Sequence, residues 1–232
     1  MKTAVLLLAS LVILSLSLNA SAKDALLPRT TSPNGQYGLT FPKLKAEPGY
    51  PPELPPNPTL TLVTLPGETP VANVPLGNST LITGMNDYYV AWNKASTAVL
   101  VVEGMKWGAD KVVLVNLASG QPQIADITSE IRGMLAPLFA KSGARPFNDS
   151  IHFIFDRENR VKYQGTQAIS DSGWQFGPNE TVLVDCTCTS DPKQMDPNRF
   201  AVRCKGTWNI DAKRFSELCV TGLDGKGETV FH

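Results

Sequence analysis

One strand pattern occurs twice in the first half of the chain, and it constrains the fold more than any other feature. Residues 38–41 align with 99–102 at a shift of 61, and residues 60–65 align with 112–117 at a shift of 52. The difference falls in the proline-rich segment 42–58. Because a repeated supersecondary unit needs a neighbour to bury its apolar face, the pattern predicts two similar antiparallel units that pack on other sheet.

The sequence letters of the two units carry a resemblance to a known family. SPNGQYGLTF followed by LTLVTLPGE, and VAWNKASTAVLVV followed by KVVLVNLASGQ, resemble blade units of the Tol-type and WD-repeat-like β-propellers over residues 31–120. The blades of these propellers often read Trp-Ser-Pro-Asp-Gly before a strand. The second unit has Asn93-Lys94-Ala95-Ser96 in the place of this turn motif, and the first unit lacks its Trp. Two units do not close a propeller. The resemblance implies blade-like units packed as a sandwich or partial propeller, and no particular activity.

The second half predicts one helix and a small antiparallel sheet. Residues 126–140 have apolar side chains at helical spacing, with Asp126 or Thr128 as the cap and Pro137 as a point where the helix kinks or ends early. Segments 151–155 and 161–165 read as one hairpin, and 181–189 with 199–208 as another. We therefore predict a single mostly-β domain over residues 23–232 with one amphipathic helix. A division into 23–120 and 121–232 is the alternative.

The N-terminus has the order of a secretory signal. Residues 4–18 form an uncharged apolar run that follows Lys2 and precedes Ala20-Ser21-Ala22. The run is shorter than the roughly 20 apolar residues that a membrane-spanning helix needs. We expect cleavage after Ala22 and a secreted or periplasmic chain without a stable membrane anchor.

Four cysteines lie in the last quarter of the sequence, and an exported chain meets oxidising conditions. Two disulfides are the expected state. Joining the two cysteines of the CxC motif to each other would strain one strand, so two pairings remain: 186 with 204 and 188 with 219, or 186 with 219 and 188 with 204. A zinc site normally shows two CxxC or CxxxC knuckles, which these spacings lack, so no metal is expected. The residues are Cys186, Cys188, Cys204 and Cys219.

Composition argues against several classes of protein. The whole chain has 21 basic and 21 acidic residues, and no block of five basic residues occurs. Clustered Lys and Arg are the basis of nucleic-acid binding, so we expect the chain to bind no nucleic acid. The sequence contains no nucleophile elbow, phosphate-binding glycine loop or zinc-binding helix motif. It predicts no cofactor and favours a protein that is not an enzyme.

Few residues remain as candidates for chemistry. His152 is the one histidine before the C-terminal residue, and its alternation with Ile151 and Phe153 is typical of a sheet histidine with a hydrogen-bond partner. Paired carboxylates need no sequence motif, so a secreted hydrolase stays an alternative. The acids named for it, at strand ends or turns, are Glu103, Asp110 and Asp156.

Aromatic side chains near turns are the candidate ligand contacts of the chain. They are Tyr88, Tyr89, Trp92, Trp107, Trp174 and Phe176. Burial in the core explains them equally well. The sequence therefore favours an exported, non-enzymatic binding or protein-interaction module whose partner is an unknown protein or small ligand. A subunit of an envelope or extracellular assembly, formed through open strand edges, is a further alternative.

The signal sequence generates the first testable prediction. Protein recovered from outside the cytoplasm of an expressing cell should have the mass of a chain that begins at Lys23. A full-length chain that begins at Met1 and stays in the cytoplasm would contradict the prediction.

Overall fold

The computed structural model describes residues 24–41, 59–75, 88–105, 108–154, 174–193, 195–223 and 227–231. The described chain is mostly β, with antiparallel sheets and one helix, which confirms the predicted fold class. The signal segment, the proline-rich segment, Trp107, Asp156 and residues 161–165 lie outside the described residues.

The first sheet has four strands in chain order. It runs β1-β2-β3-β4, and every neighbouring pair is antiparallel. The strands are β1 Ala25–Leu26, β2 Tyr37–Phe41, β3 Thr59–Thr64 and β4 Thr69–Pro75.

The second sheet has ten strands and one helix inserted between them. The elements are β5 Tyr88–Trp92, β6 Ala98–Met105, β7 Gly108–Asn116, β8 Gln123–Asp126, α1 Ile127–Ser142, a 3₁₀ turn at Phe147–Asp149, β9 His152–Ile154, β10 Trp174–Gly177, β11 Thr181–Thr189, β12 Ala201–Asn209, β13 Arg214–Gly222 and β14 Glu228–Phe231. The path through the sheet is β14-β13-β12-β11-β9-β7-β6-β5, while β10 pairs with β11 and β8 pairs with β7.

The short strand β9 joins the two halves of this sheet. One of its edges pairs with β11 and the other with β7, where Gly108 lies opposite Ile154. Both edges of residues 153–154 are therefore occupied by other strands, and the predicted hairpin of 151–155 with 161–165 is wrong for these residues. A three-residue strand contains too little sequence to indicate two distant partners.

The two meanders β1–β4 and β5–β8 share their hydrogen-bond pattern. The bond from Ser32 N–H to the Tyr37 carbonyl recurs 61 residues later from Asn93 to Ala98. The bond from Leu65 N–H to the Gln36 carbonyl recurs between Leu117 and Thr97. The tight turns also correspond, with left-handed backbone at Gly35 (φ 72°) and at Ser96 (φ 58°). The aligned segments thus form the same local structure, and the propeller itself is not confirmed.

Strands β6 and β7 are buried on both faces. Their odd-numbered valines pack against the first sheet, and their even-numbered residues pack against α1 and the strands β9–β13. A strand covered on both faces reads as a continuous apolar run, as AVLVV and VVLV do here. The chain is thus layered around this strand pair.

Helix α1 begins and ends at local signals. Asp126 is the N-cap and accepts the Ser129 N–H at 3.0 Å, as predicted. The helix ends at Gly143, whose left-handed backbone (φ 71°) directs its N–H to the Ala140 carbonyl. Of the two predicted effects of Pro137, an early end of the helix is wrong: the helix continues to Ser142, and Leu138 and Phe139 beyond the proline pack on the core.

The junction at β9 generates a stability prediction. A Cβ added at Gly108 would lie 1.7 Å from the Phe153 carbonyl oxygen, so Gly108→Ala forces β7 and β9 apart. We expect the free energy of unfolding, measured in urea, to fall by about 1–3 kcal/mol.

Gly133→Ala is the matched control. Gly133 is exposed within α1, and a Cβ there meets no atom within 4 Å. Helix propensity predicts unchanged stability or a gain of up to about 1 kcal/mol. Equal unfolding midpoints for Gly108→Ala and the unaltered chain would contradict the role of the junction.

Candidate functional site

The aromatic side chains proposed as ligand contacts are divided between two cores. Trp174 is fully buried and lies edge-on to Phe153, with ring centroids 5.9 Å apart. Tyr89 and Phe176 pack against the same core, whereas Tyr88 and Trp92 pack against the core between the first sheet and β6–β7. The alternation of β5 accounts for the division, since successive side chains of a strand point to opposite faces. The described members of the set therefore form no common surface.

Trp92 connects the two meanders. Its indole N–H donates to the Thr30 carbonyl at 2.9 Å, and its ring stacks on Tyr37 with centroids 5.9 Å apart. A buried tryptophan normally has such a partner for its N–H. Packing thus engages the ring and the N–H that a ligand would use.

Tyr88 and Glu103 form a buried polar pair that the sequence did not indicate. They lie opposite each other in β5 and β6, and Glu103 is 1% exposed. The Tyr88 hydroxyl is buried and has no hydrogen-bond partner among the described residues. Burial, followed by the negative charge of Glu103, raises the pKa of Tyr88 far above its ordinary value. The phenol therefore stays protonated at neutral pH.

Three of the four cysteines form a sulfur cluster on the core-facing side of β11 and β12. Cys186 and Cys204 are opposite each other in the ladder, as the predicted hairpin requires. The Sγ atoms of Cys186 and Cys188 are 4.0 Å apart, and those of Cys188 and Cys204 are 3.6 Å apart. Their exposed fractions are 5%, 0% and 0% in chain order, so the sulfur cluster is closed to solvent.

Cys219 lies on the other face of the same sheet. It is opposite Lys205, and the buried side chains of β13 on either side of it are Leu218 and Val220. The cause is a bulge at Ser216, the residue of β13 without a partner between Phe215 and Glu217. The Ser216 hydroxyl donates to the Thr207 carbonyl at 3.0 Å. An extra residue moves every later side chain to the opposite face, so both predicted pairings place Cys219 on the wrong side of the sheet.

The three clustered thiols differ in acidity. Burial, followed by hydrogen bonds to its two neighbours, raises the pKa of Cys188. The hydrogen bond with Cys188 lowers the pKa of Cys186, but its bond to Cys204 and its burial outweigh that effect and raise the pKa. Hydrogen bonds from Cys186 and then Cys188 hold the pKa of Cys204 below its ordinary value despite burial. Cys204 is therefore the first of the three to ionise.

Metal ligation has little support in the described part of the chain. Its His, Cys, Asp and Glu side chains form no group of three or more that could hold a metal ion. The Sγ atoms of the cluster belong to adjacent positions on two strands, rather than to turns that wrap around an ion.

His152 and the acidic residues Asp110 and Asp126 have structural partners. The His152 ring nitrogen Nε2 lies 2.7 Å from the Phe147 carbonyl, in agreement with the sheet-histidine interpretation. Asp110 lies 3.9 Å from Arg132, and Asp126 lies 3.5 Å from Lys111. The described acids in these pairs face basic groups, which is not the arrangement of a carboxylate pair at a hydrolytic site.

Asp191 organises the loop between β11 and β12. Its carboxylate accepts three backbone N–H groups, from Lys193 at 2.9 Å, Met195 at 2.6 Å and Asp196 at 2.8 Å. Burial alone would raise the pKa of this carboxyl, but the N–H groups and the nearby Arg199 guanidinium hold it below its ordinary value. An aspartate two residues after a strand and followed by Pro is a turn signal that could have indicated this role.

The outer face of β11 and β12 carries an exposed ion pair. Arg203 donates two hydrogen bonds to Asp185, at 2.8 and 3.0 Å, and Lys205 lies 3.5 Å from the same carboxylate. These side chains are about half exposed, so the pairs contribute little to stability. The face that also contains Cys219 is therefore a solvated surface.

Comparisons with known proteins give no relative. No family model, curated protein or solved structure matches the chain. In the described residues, no helix is long and apolar enough to cross a membrane.

Asp191 generates a prediction with a pH signature. Asp191→Ala removes the acceptor of three backbone N–H groups and should lower the free energy of unfolding by about 1–2 kcal/mol at pH 7, since water replaces part of the bonding. Because the pKa of Asp191 is lower in the folded chain than its unfolded value of about 3.9, the contribution is complete above that value and is lost as the pH falls through the folded pKa.

Urea unfolding of both chains between pH 2 and pH 7 checks this prediction. The two stabilities should converge in acid. Asp211→Ala, in the exposed turn between β12 and β13, is the control and should leave the free energy of unfolding at pH 7 nearly unchanged. A stability difference that is constant over the whole pH range would contradict the role of the carboxylate.

Proposed function

We propose that the chain is an exported, non-enzymatic interaction module that binds an extended segment of another protein at the open edge of β14. The observation that supports it most is the position of this strand. Among the described residues β14 pairs only with β13, and Glu228, Thr229 and Val230 are exposed. An uncovered strand edge is a template for pairing with another chain.

The backbone groups available at this edge follow from the ladder. The Gly222 N–H donates to the Gly227 carbonyl at 3.4 Å, at the closed end of the β13–β14 hairpin. Hydrogen-bonded and non-hydrogen-bonded pairs alternate along an antiparallel ladder. The N–H and C=O groups of Glu228 and Val230 therefore point away from β13, whereas those of Thr229 and Phe231 point towards it.

The side chains along the edge suggest the chemistry of the partner strand. Val230 is 40% exposed and Leu223, beside the hairpin loop, is 56% exposed. Glu217 and Glu228 add negative charge close to Cys219, whose pKa is raised by burial and then by Glu228. A strand with an apolar side chain towards Val230 and a basic side chain towards these acids would fit the edge.

The alternatives have less support from the described contacts. The aromatic candidates are engaged in two separate cores, which disfavours a small-ligand site made from them. The paired-carboxylate hydrolase has no supporting contact among the described acids, since Asp110 faces Arg132 and Glu103 is buried opposite Tyr88. Asp156 lies outside the described residues. Assembly as a subunit uses the same strand edge, with a second copy of the chain as the partner.

A crosslinking experiment tests the role of the edge. We place a photoreactive benzoylphenylalanine at Leu223 and illuminate cells that express the chain. Val230→Pro removes the outward N–H, whereas Val230→Thr keeps it and changes only the side chain. We expect a protein adduct in the Val230→Thr chain and its loss in the Val230→Pro chain.

The same probe at the exposed Lys213, in the turn between β12 and β13, is the positional control and should give no edge-dependent adduct. Co-expression of two differently tagged copies separates a second copy from another protein as the partner. Equal adduct yields from the proline and threonine variants would contradict binding at β14.

A further inference from the structure

The sulfur cluster and Cys219 differ in what they can bond to. Cys186, Cys188 and Cys204 share the core face of the sheet, whereas Cys219 lies opposite Lys205 on the outer face. Two cysteines whose Cβ vectors point apart cannot be bridged without movement of the backbone. Turning Cys219 inward would slip β13 by one residue and expose Leu218 and Val220, which are 0% and 3% exposed. The core therefore opposes a bond between Cys219 and any of the three clustered cysteines.

Within the sulfur cluster the possible bonds are unequal. A bond between Cys186 and Cys188 would close a tight ring on one strand. Cys186 and Cys204 are directly opposite each other in the ladder. Because the Ser190 N–H donates to the Phe200 carbonyl and bonded pairs occur at every second position, Cys186 and Cys204 form a hydrogen-bonded pair. Directly opposite pairs have a shorter Cβ separation than diagonal neighbours, so strand geometry alone does not exclude a bond between Cys186 and Cys204. The diagonal pair Cys188 and Cys204 already has its sulfurs 3.6 Å apart.

We propose that Cys188 and Cys204 form the one disulfide of this chain, that Cys186 stays reduced beside it, and that Cys219 stays reduced on the outer face. The bond links β11 to β12 within the core. It replaces the expected framework of two bridges by a single bridge with a third thiol whose sulfur lies 4.0 Å from Cys188.

The bond forms by thiol–disulfide exchange with a small disulfide such as oxidised glutathione. The Cys204 thiolate attacks one sulfur of the glutathione disulfide and releases one glutathione thiolate. The Cys188 thiolate then attacks the Cys204 sulfur of this mixed disulfide and releases the second glutathione thiolate. Two cysteine thiols have been oxidised, one disulfide has been reduced, and the two protons from the thiols remain on the released glutathione thiols.

Of the three thiols in the assembled cluster, Cys204 has the lowest pKa, so its thiolate is the first nucleophile in an opening that keeps the three sulfurs together. Because all three sulfurs are buried in the folded chain, exchange takes place while β11 and β12 assemble or when they open locally.

Refolding in a glutathione buffer tests the proposal without dependence on export or on the β14 edge. The chain of residues 23–232 is reduced in urea, refolded with mixed oxidised and reduced glutathione, denatured and alkylated, and its intact mass is measured. We expect two alkyl groups before reduction and four after it. Fragment spectra should place the two groups on Cys186 and Cys219, and the link between the Cys188 and Cys204 peptides.

Serine variants are the matched controls. Cys186→Ser and Cys219→Ser should each keep the bond and take up one alkyl group, whereas Cys188→Ser should lose it. Since a variant could fail to fold, the fragment map of the unaltered chain is the deciding measurement. Two disulfides that include Cys219, four alkyl groups without reduction, or a stoichiometric metal that protects the three clustered thiols would each overturn the proposal.

Discussion

The burial of β6 and β7 on both faces is the constraint on which the rest of the structure depends. Val99, Val101, Val113 and Val115 face the first sheet, and the residues between them face the larger core. Full burial of such a side chain contributes about 1.5–3 kcal/mol, so each covering layer stabilises the strand pair. The first sheet covers one face, while α1 and the strands after it cover the other. The short strand β9 then fixes how the C-terminal strands continue the same sheet.

Local sequence signals predicted the parts of this fold that depend on neighbouring residues. The alignment at shifts of 61 and 52 residues matches the recurring turn hydrogen bonds, and Asp126 caps α1 as expected. The cysteine hairpin has the predicted partners, with Cys186 opposite Cys204. In each case the determining contacts lie within one turn or one hairpin, where residues that are close in sequence are also close in the structure.

The parts that the sequence could not predict depend on a single residue or on distant strands. The bulge at Ser216 is one extra residue in β13, and it moves Cys219 from the core face to the outer face. The spacing of the buried residues Phe215, Leu218 and Val220 reflects this bulge, because strict alternation from Phe215 would bury residue 217. The two partners of β9 and the buried pair of Tyr88 and Glu103 arise from long-range packing, which leaves no pattern in a short segment.

The distribution of polar groups connects this architecture to the proposed function. The Asp191 carboxylate accepts backbone N–H groups of its own loop. Asp185 faces Arg203 and Lys205, and the three clustered sulfurs face the core. Among the described strands, β14 has one edge without a strand partner, and its Glu228, Thr229 and Val230 are exposed. A layered core that ends in an exposed strand edge with acidic residues nearby suits the proposed recognition of an extended strand.

Residue-resolved amide hydrogen exchange on the isolated chain tests this account most directly. The account predicts that Glu228 and Val230 exchange rapidly, that Thr229 and Phe231 exchange more slowly, and that the amides of β6 and β7 are the most protected of all. Protection of Val230 comparable to that of β6 would mean that the edge is already covered, and it would contradict the central claim.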